Sequence, residues 1–225
     1  MNDEMRTLVD LRDRTLQKTR IAFSNRLSAI DRGVDNGDRE LIEKWLDRFN
    51  LLEDEVNADI HHMAKGYPII EHLDALKGIG DMLAAKLVAM IDIQRADTVS
   101  SLWRYAGYAV IDGERERPTK GAKLHYNWRL KSTCYLIGSS FLKCNSPYRD
   151  IYDEAKTFYE SNRPDWTKLH RHNAAMRKMI KIFLSHTWLQ WRELEKLPVA
   201  SPYILLKPEH NHAYNRADFG WPEIQ

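Results

Sequence analysis

The sequence predicts an all-α protein, with an N-terminal antiparallel coiled-coil hairpin followed by a helical domain that contains a helix-hairpin-helix. Apolar residues recur at spacings of three and four along most of the 225 residues, which is the period of an α-helix. Glycine and proline separate these segments, and the sequence has no βαβ pattern or internal repeat. We expect three parts: the coiled-coil hairpin over 1–65, the helix-hairpin-helix domain over 66–197, and an extended C-terminal tail over 198–225.

The coiled-coil hairpin is predicted from two amphipathic segments joined by a turn. Residues 4–32 carry apolar side chains between charged ones, and residues 33–40 are rich in turn-forming residues. The second segment has a near-heptad seam, formed by Ile42, Trp45, Phe49, Leu52, Val56, Ile60 and Met63. One partner helix of this length does not cover so much apolar surface, so we expect a homodimer or a coiled-coil partner chain.

The helix-hairpin-helix is predicted from the stretch 76-LKGIGDMLAAKLVAMI-91. Pro68 suits the first turn of the preceding helix, and Asp81 is placed to cap the following one. Gly78 and Gly80 permit positive φ and leave backbone N–H groups bare. Bare amides at a helix N-terminus form an anion site that suits a phosphodiester. The stretch therefore predicts contact with a nucleic-acid backbone, and the alternative is an ordinary glycine-containing turn in a helical core.

The rest of the chain is predicted to be helical apart from one loop. Residues 101–123 lose the helical period and form a loop with a short strand at 107–111. Helices are expected over 124–143 and from Asp165 to Leu194, with a clean apolar stripe at helical spacing between Tyr148 and Tyr159.

The charge distribution indicates the class of partner, and the cysteine content indicates the compartment. The formal net charge is only +2, but residues 104–150 carry nine basic and four acidic side chains, whereas residues 38–65 carry four and eight. A basic block beside the hairpin favours a polyanion. No apolar run approaches the roughly 20 residues of a membrane span, so no membrane partner is expected. Cys134 and Cys144 form no disulfide or zinc pattern, which favours a reducing cytoplasm.

Other candidate chemistry has simpler interpretations. The pairs His61–His62, His170–His172 and His210–His212 are not joined at zinc-site spacing, so we interpret them as surface histidines and expect no metal or cofactor. Ser139 and Ser140 follow Gly138 within a helix, which indicates helix packing instead of a nucleophile elbow. The acidic residues Asp112, Glu114 and Glu116 alternate with arginines and are expected to form exposed ion pairs. The aromatics between Trp103 and Trp128 are interpreted as core residues, with base stacking as the alternative.

The order of the motifs resembles a known family. The hairpin is followed by 105-YAGY-108, a basic loop, 120-KGAKLHYNWRLKS-132 and a late helix with 174-AAMRKM-179. Over roughly residues 40–195 this resembles the C-terminal half of transposases of the insertion sequence 110/116/902 family, the RNA-guided bridge recombinases. The resemblance implies DNA as the partner, or structured RNA, and a coiled coil followed by a helix-hairpin-helix.

Two departures from the family pattern affect the expected activity. The chain starts directly in the coiled coil, without the RuvC-like domain that carries the catalytic acidic set. At the place of the family's nucleophilic serine the sequence is 111-IDGERER-117, and a carboxylate does not replace the attacking hydroxyl. We therefore expect a domesticated, catalytically inactive DNA-binding derivative. The alternatives are one subunit of a split recombinase, and an interaction protein that pairs through the coiled coil.

The residues expected to contact DNA come from the hairpin, the basic block and the late helix. No catalytic residue and no metal ligand are assigned. The expected contacts are Lys77, Gly78, Ile79, Gly80, Asp81, Lys86, Lys120, Lys123, Arg129, Arg177 and Lys178.

Overall fold

The structure is a computed structural model that describes residues 3–110, 120–121, 123–199 and 214–224. The chain divides into two compact units, with the boundary between Tyr67 and Pro68. Within the described ranges every regular element is a helix, which confirms the all-α class. None of the described helices is long and apolar enough to cross a membrane.

The N-terminal unit is the expected helical hairpin. Its first arm consists of α1 (Asp3–Asp10), a π-helical stretch (Leu11–Leu16) and α2 (Gln17–Asp31), and its second arm is α3 (Arg39–Ala64). The turn ends at Asp38, whose side chain accepts a hydrogen bond from the Leu41 N–H at 3.1 Å and so caps α3.

The buried face of α3 differs from the predicted seam. Ile42, Val56 and Ile60 are buried as expected, but Trp45 is 41% exposed and Leu52 is 44% exposed. A charged residue, Glu53, takes one of the buried positions instead. Its carboxylate lies 2.6 Å from Arg20 Nε and 3.2 Å from Arg12 Nη2, and a buried charge is tolerated when it is paired in this way. The apolar period alone did not indicate this ion pair.

The second unit is built around one long helix. Its elements are α4 (Pro68–Asp74), α5 (Asp81–Met90), α6 (Val99–Tyr105), α7 (Trp128–Cys144), α8 (Tyr148–Asn162) and α9 (Lys168–Leu194). Most of α9 from Ala174 onward is buried, because α4, α6, α7 and α8 all pack against it. Capping sets the starts of α7 and α9, the two longest helices of this unit. Asn127 accepts from the Arg129 N–H at 3.0 Å, and Thr167 accepts from the His170 N–H at 3.1 Å, so α7 and α9 begin later than the sequence suggested.

The short strand expected at 107–111 is not formed by residues 107–110, and Ile111 lies outside the described residues. The amides of Tyr108 and Ala109 donate to the Trp103 carbonyl at 2.8 and 3.2 Å. They therefore terminate α6 and cannot pair with a neighbouring strand. Gly107 makes this turn with a φ of +74°, a value that glycine adopts most readily.

The C-terminal segment packs on the second unit through a chain of buried hydrogen bonds. Residues Arg216–Phe219 form a 3₁₀ helix, so this part of the predicted tail is not extended; the Asn215 side chain caps it, accepting from the Ala217 N–H at 3.2 Å. Trp221 is buried, and its Nε1–H donates to the Tyr148 hydroxyl at 2.7 Å.

Candidate nucleic-acid interface

The turn between α4 and α5, which we call the hairpin turn (residues 75–80), is fixed by two buried side chains. Leu76 is 2% exposed and Ile79 is 6% exposed. Their amides close successive turns, since the Leu76 N–H donates to the Leu73 carbonyl and the Ile79 N–H donates to the Leu76 carbonyl, both at 3.0 Å. Between these anchors Gly78 has a φ of +102°, which a residue with a side chain rarely adopts.

Gly78 also packs closely against the C-terminal end of α7. A Cβ added at Gly78 would lie 2.6 Å from Cys144 Sγ and 3.2 Å from Phe141 Cδ1. The Cys144 thiol is 3.6 Å from the Lys77 carbonyl, within donating distance for sulfur. Both the backbone angle and the close approach therefore require glycine at position 78.

Gly80 plays a different part from the one expected. Its φ of −104° and ψ of 162° are ordinary extended values, and a Cβ added there would meet nothing within 4 Å. Gly80 is itself the N-cap of α5, with its carbonyl accepting from the Leu83 N–H at 2.8 Å. Asp81 consequently does not cap the helix as predicted. It is the first helical residue, where a carboxylate is favourable near the positive end of the helix.

The outer side of the hairpin turn combines backbone donors with one lysine. Lys77, Gly80 and Asp81 are exposed, whereas the Ile79 side chain is buried. Within the part of the chain that the structure describes, the N–H groups of Gly78 and Gly80 donate no hydrogen bond. This surface suits an anion through amides and an ammonium group, although the Asp81 carboxylate opposes one.

A second candidate site, which we call the α7–α9 cleft, lies between α7, α9 and the turn after α6. Its volume is about 470 Å³, and Lys131, Tyr135, Asn173 and Arg177 contribute to its lining. Of the described residues that line the cleft, two are cations and none is acidic. The structure therefore places the predicted contact Arg177 beside Lys131, which sequence reasoning did not select.

Neighbouring aromatic residues hold the lysines of this region in place. Lys131 Nζ lies 4.2 Å from the centroid of the Tyr126 ring, and Lys181 Nζ lies 3.9 Å from that of Trp103, both within cation–π range. Burial, and then the nearby Arg177, lower the pKa of Lys181. These contacts make Trp103 and Tyr126 structural. Tyr108 and Tyr126 are buried as expected, but Tyr105 is 38% exposed and Trp128 is 57% exposed, so the core interpretation is wrong for these two.

Tyr108 is a structural donor at the edge of the α7–α9 cleft. Its hydroxyl donates to the Lys131 carbonyl at 3.1 Å. Burial raises the pKa of Tyr108 well above its ordinary value, while Arg177 acts in the opposite direction. The phenol therefore stays protonated, and we assign it no acid–base role.

The length of α7 separates the hairpin turn from the α7–α9 cleft. The turn packs at Cys144, whereas the cleft uses residues 131–136 of α7. At 1.5 Å per residue, the axial separation is about 12–20 Å. The hairpin turn and the α7–α9 cleft are thus two separate sites.

The remaining predicted contacts lie at the following places. Lys86 is half-buried on α5, Arg129 is half-buried in the first turn of α7, and Lys178 is exposed on α9 next to Arg177. Lys120 and Lys123 are exposed between α6 and α7. Tyr135 and Asn173 were missed by sequence reasoning. Nothing in the sequence singled out either residue, because a tyrosine in an apolar pattern predicts a core position and an isolated asparagine predicts none.

The other candidate sites have structural explanations where the structure describes them. His172 Nδ1 is 2.7 Å from the Tyr152 hydroxyl, and the His170 ring stacks on Trp166 with centroids 4.0 Å apart. Among the described residues no group of three or more histidine, cysteine or acidic side chains is placed to hold a metal ion. The pair His210–His212 and the acidic loop residues Asp112, Glu114 and Glu116 lie outside the described residues.

Gly138 supports the helix-packing interpretation of the Gly-Ser-Ser sequence. A Cβ added there would lie 2.9 Å from Met176 Cε and 3.1 Å from Ile180 Cδ1. The glycine therefore lets α7 approach α9 closely at this level.

Fold and sites together define an all-helical protein with a helical hairpin and two separate candidate sites, the hairpin turn and the α7–α9 cleft. Comparison with known proteins finds no family whose pattern matches the chain, and no curated protein or solved structure that matches it.

Proposed function

We propose that this protein binds nucleic acid, DNA or structured RNA, through the backbone phosphates and without catalysing strand transfer. The observation that carries the proposal is the hairpin turn. Gly78, at φ +102° against Cys144, lies between the exposed Lys77 and the exposed Gly80, and neither glycine amide donates a hydrogen bond within the described residues. Backbone amides and lysine recognise phosphates and carry no information about base sequence.

The expected affinity of the hairpin turn alone is modest. One lysine and a few amides neutralise about one or two phosphates, which corresponds to a slope of about −1 to −2 in a plot of log affinity against log salt. Proteins that bind tightly at physiological salt make several such contacts. A second surface therefore has to add to the hairpin turn.

The origin of the protein belongs to the same proposal. The resemblance to the insertion sequence 110/116/902 transposases supports a domesticated DNA-binding derivative that acts in the cytoplasm. The absence of a serine in the matching loop, where Asp112 stands, supports binding without catalysis.

Gly80 offers a sharp test because it tolerates a side chain. Gly80→Asp adds a preferred N-cap residue in open space, so the fold should be kept. Its carboxylate would accept hydrogen bonds from the first-turn amides and repel a phosphate. We expect at least a tenfold loss of affinity for a labelled duplex or RNA hairpin in fluorescence anisotropy at low salt.

The matched controls separate charge from position. Gly80→Ala adds a Cβ without charge, and Ser100→Asp adds the same charge at the exposed start of α6. Both variants should bind as the wild type does. A folded Gly80→Asp variant that binds with wild-type affinity would remove the hairpin turn from the proposal.

A second candidate function is protein–protein interaction through the N-terminal hairpin. It is favoured by the exposure of Trp45 and Leu52 on α3, together with Leu41 and Leu51. Large apolar side chains grouped on one helix are common at protein interfaces. A second copy of the chain is the partner we propose for this surface.

A further inference from the structure

We propose that the α7–α9 cleft is a binding site for an unpaired nucleotide, with the phosphate at Arg177 and Lys131 and the base against Tyr135 and Asn173. The inference uses a different set of residues from the hairpin turn and does not depend on it. Five properties of the cleft support it: its size, its preformed walls, its charge, its exposed ring and its amide.

The size of the cleft selects a single nucleotide. A volume of about 470 Å³ lies within the range of about 300–1,000 Å³ that is typical of small-ligand sites. A cube of that volume has edges of about 8 Å. The major groove of a duplex is by itself about 12 Å wide, and the whole duplex is wider still. A double helix therefore cannot enter, whereas a base turned out of a strand can.

The walls of the cleft are helices in close contact, so the site is preformed. At Gly138 a Cβ would lie 2.9 Å from Met176 Cε and 3.1 Å from Ile180 Cδ1. Met176 and Ile180 also line the cleft. The close approach of α7 and α9 at this glycine fixes the spacing of the residues that line the cleft on either side.

The charge of the cleft selects an anion. Lys131 and Arg177 both line it, and none of its described lining residues is acidic. Lys178 is exposed on α9 directly after Arg177. The planar guanidinium of an arginine matches two oxygens of a phosphate at once. The position of the Lys131 ammonium is set by its contact with the Tyr126 ring at 4.2 Å.

Tyr135 provides an exposed ring in the same cleft. It is 47% exposed although it lies in a helix whose opposite side is packed in the core, and the adjacent Leu136 is 52% exposed. Stacking of a base on such a ring is tolerant of sequence, because every base has a π-face. A carboxylate-bearing peptide would use the cations but would have no comparable use for the ring.

Asn173 provides a donor and an acceptor for the edge of the base. Its side chain lines the cleft and is half-buried. Its carboxamide makes no hydrogen bond to any residue that the structure describes. An amide presents an adjacent N–H and C=O, the combination that pairs with the edge of a nucleobase.

The test measures binding of the full chain to fluorescein-labelled tetranucleotides, one of each base, by anisotropy at low salt. Tyr135→Ala and Asn173→Ala should each weaken binding at least fivefold, and Arg177→Gln at least tenfold. Phe158→Ala, at an exposed aromatic on α8, and Lys156→Gln, at a half-buried lysine on the same helix, are the matched controls and should bind as the wild type does. Circular dichroism of each variant establishes that it is folded.

Several outcomes would overturn the proposal. No binding of any tetranucleotide by the wild type does so, and so does a folded Tyr135→Ala variant with unchanged affinity. Binding of a labelled tetraglutamate peptide, with no binding of tetranucleotides, would assign the cleft to acidic peptides instead. Gly80→Asp should leave tetranucleotide binding intact while reducing duplex binding. The two measurements therefore distinguish failure of the proposed site at the hairpin turn from failure of the proposed site in the α7–α9 cleft.

Discussion

Gly78 and Cys144 define the hairpin turn together, because the thiol of one fills the space that a side chain on the other would need. A Cβ on Gly78 would lie 2.6 Å from Cys144 Sγ. Two separate costs therefore attach to a substitution at Gly78: the positive φ of +102° and the clash. A double substitution can separate them.

We expect Gly78→Ala to reduce the free energy of unfolding by about 2–4 kcal/mol, as the sum of backbone strain and overpacking. Adding Cys144→Ala removes the sulfur and should restore about half of that loss. Urea denaturation followed by circular dichroism measures both. Gly80→Ala is the control and should change stability by less than about 0.5 kcal/mol, because its Cβ meets open space. A Gly78→Ala variant as stable as the wild type would contradict the geometry of the turn.

Gly78 and Gly80 show which features could be predicted from the sequence and which could not. The helical period predicted the all-α class and the N-terminal hairpin, because apolar spacing indicates which segments form amphipathic helices. It did not identify every buried position, since Trp45 and Leu52 are exposed. The pair Gly78 and Gly80 predicted a tight turn, but which of them needs positive φ depends on the packing of Cys144, a residue far along the chain. The pairing of Glu53 with Arg12 and Arg20 was missed for a related reason, since a period analysis counts a glutamate as a solvent-facing residue.

The α7–α9 cleft could not be predicted from the sequence. It exists because α7 and α9 approach at Gly138, and because Gly107 lets the turn after α6 pack on Tyr126 and Lys131. A Cβ at Gly107 would lie 2.7 Å from Tyr126 Cδ2 and 3.1 Å from Lys131 Cδ. Such contacts join segments that no local pattern connects.

His186 makes the stability of the second unit dependent on pH. Its Nδ1 lies 2.7 Å from the Tyr148 hydroxyl, and its Nε2 lies 3.0 Å from the Tyr214 carbonyl. The Trp221 Nε1–H already donates to the Tyr148 oxygen. The network therefore fits a neutral ring that accepts at Nδ1 and donates from Nε2. Burial, with a smaller contribution from Arg216 and against the bond to Tyr214, lowers the pKa of His186 to about 4.

Protonation of His186 is therefore easier in the unfolded chain than in the fold. The full stability is present above pH of about 6.5, falls as the pH drops toward about 4, and levels off below that value. The total contribution is about 3 kcal/mol. His186→Gln should flatten this part of the profile in urea titrations between pH 7 and 4, whereas His170→Gln, at an exposed histidine, should leave it unchanged. A wild-type profile without this fall would contradict the prediction.

Glu53 should be important for the stability of the N-terminal hairpin. Removing its charge by Glu53→Gln leaves Arg20 without the carboxylate it contacts, and leaves Arg12, whose side chain is only 13% exposed, paired with Asp13 alone among the described acidic residues. We expect the free energy of unfolding to fall by about 2–3 kcal/mol, toward the lower end for a broken buried pair because Arg20 is partly exposed. Glu43→Gln breaks an exposed pair with Arg39 and should cost less than about 1 kcal/mol. Equal losses in the two variants would contradict the buried role of Glu53.

The exposed face of α3 predicts self-association. Trp45→Glu together with Leu52→Glu places charge on two of the apolar side chains that are exposed on α3. If a second copy packs there, the double variant should be monomeric at concentrations where the wild type is dimeric in light scattering. Leu169→Glu, at an exposed leucine on α9, is the control. A wild type that stays monomeric at high concentration would exclude this use of the surface.

The last prediction joins the two proposed sites. Both adjoin α7, and their axial separation of about 12–20 Å corresponds to about 4–6 nucleotides at the 3.4 Å per residue of one strand of a duplex. A substrate in which a duplex carries a single-stranded overhang can therefore contact the hairpin turn with its backbone and the α7–α9 cleft with one unpaired base. Linking two weak contacts in this way raises affinity through the effective concentration of the second.

We expect overhangs of two nucleotides to add nothing and overhangs of about six or more to raise affinity at least tenfold over a blunt duplex, in titrations with both overhang polarities. The gain requires both sites. Tyr135→Ala should remove it while blunt-duplex binding stays at the wild-type level, and Gly80→Asp should lower the affinity for the blunt and overhanging duplexes. The steepness of the salt dependence should increase with the overhang, because Arg177 and Lys131 then add their own phosphate contacts. An affinity that rises smoothly with every added nucleotide, without a threshold, would indicate one continuous basic surface and would contradict the separation of the two sites along α7.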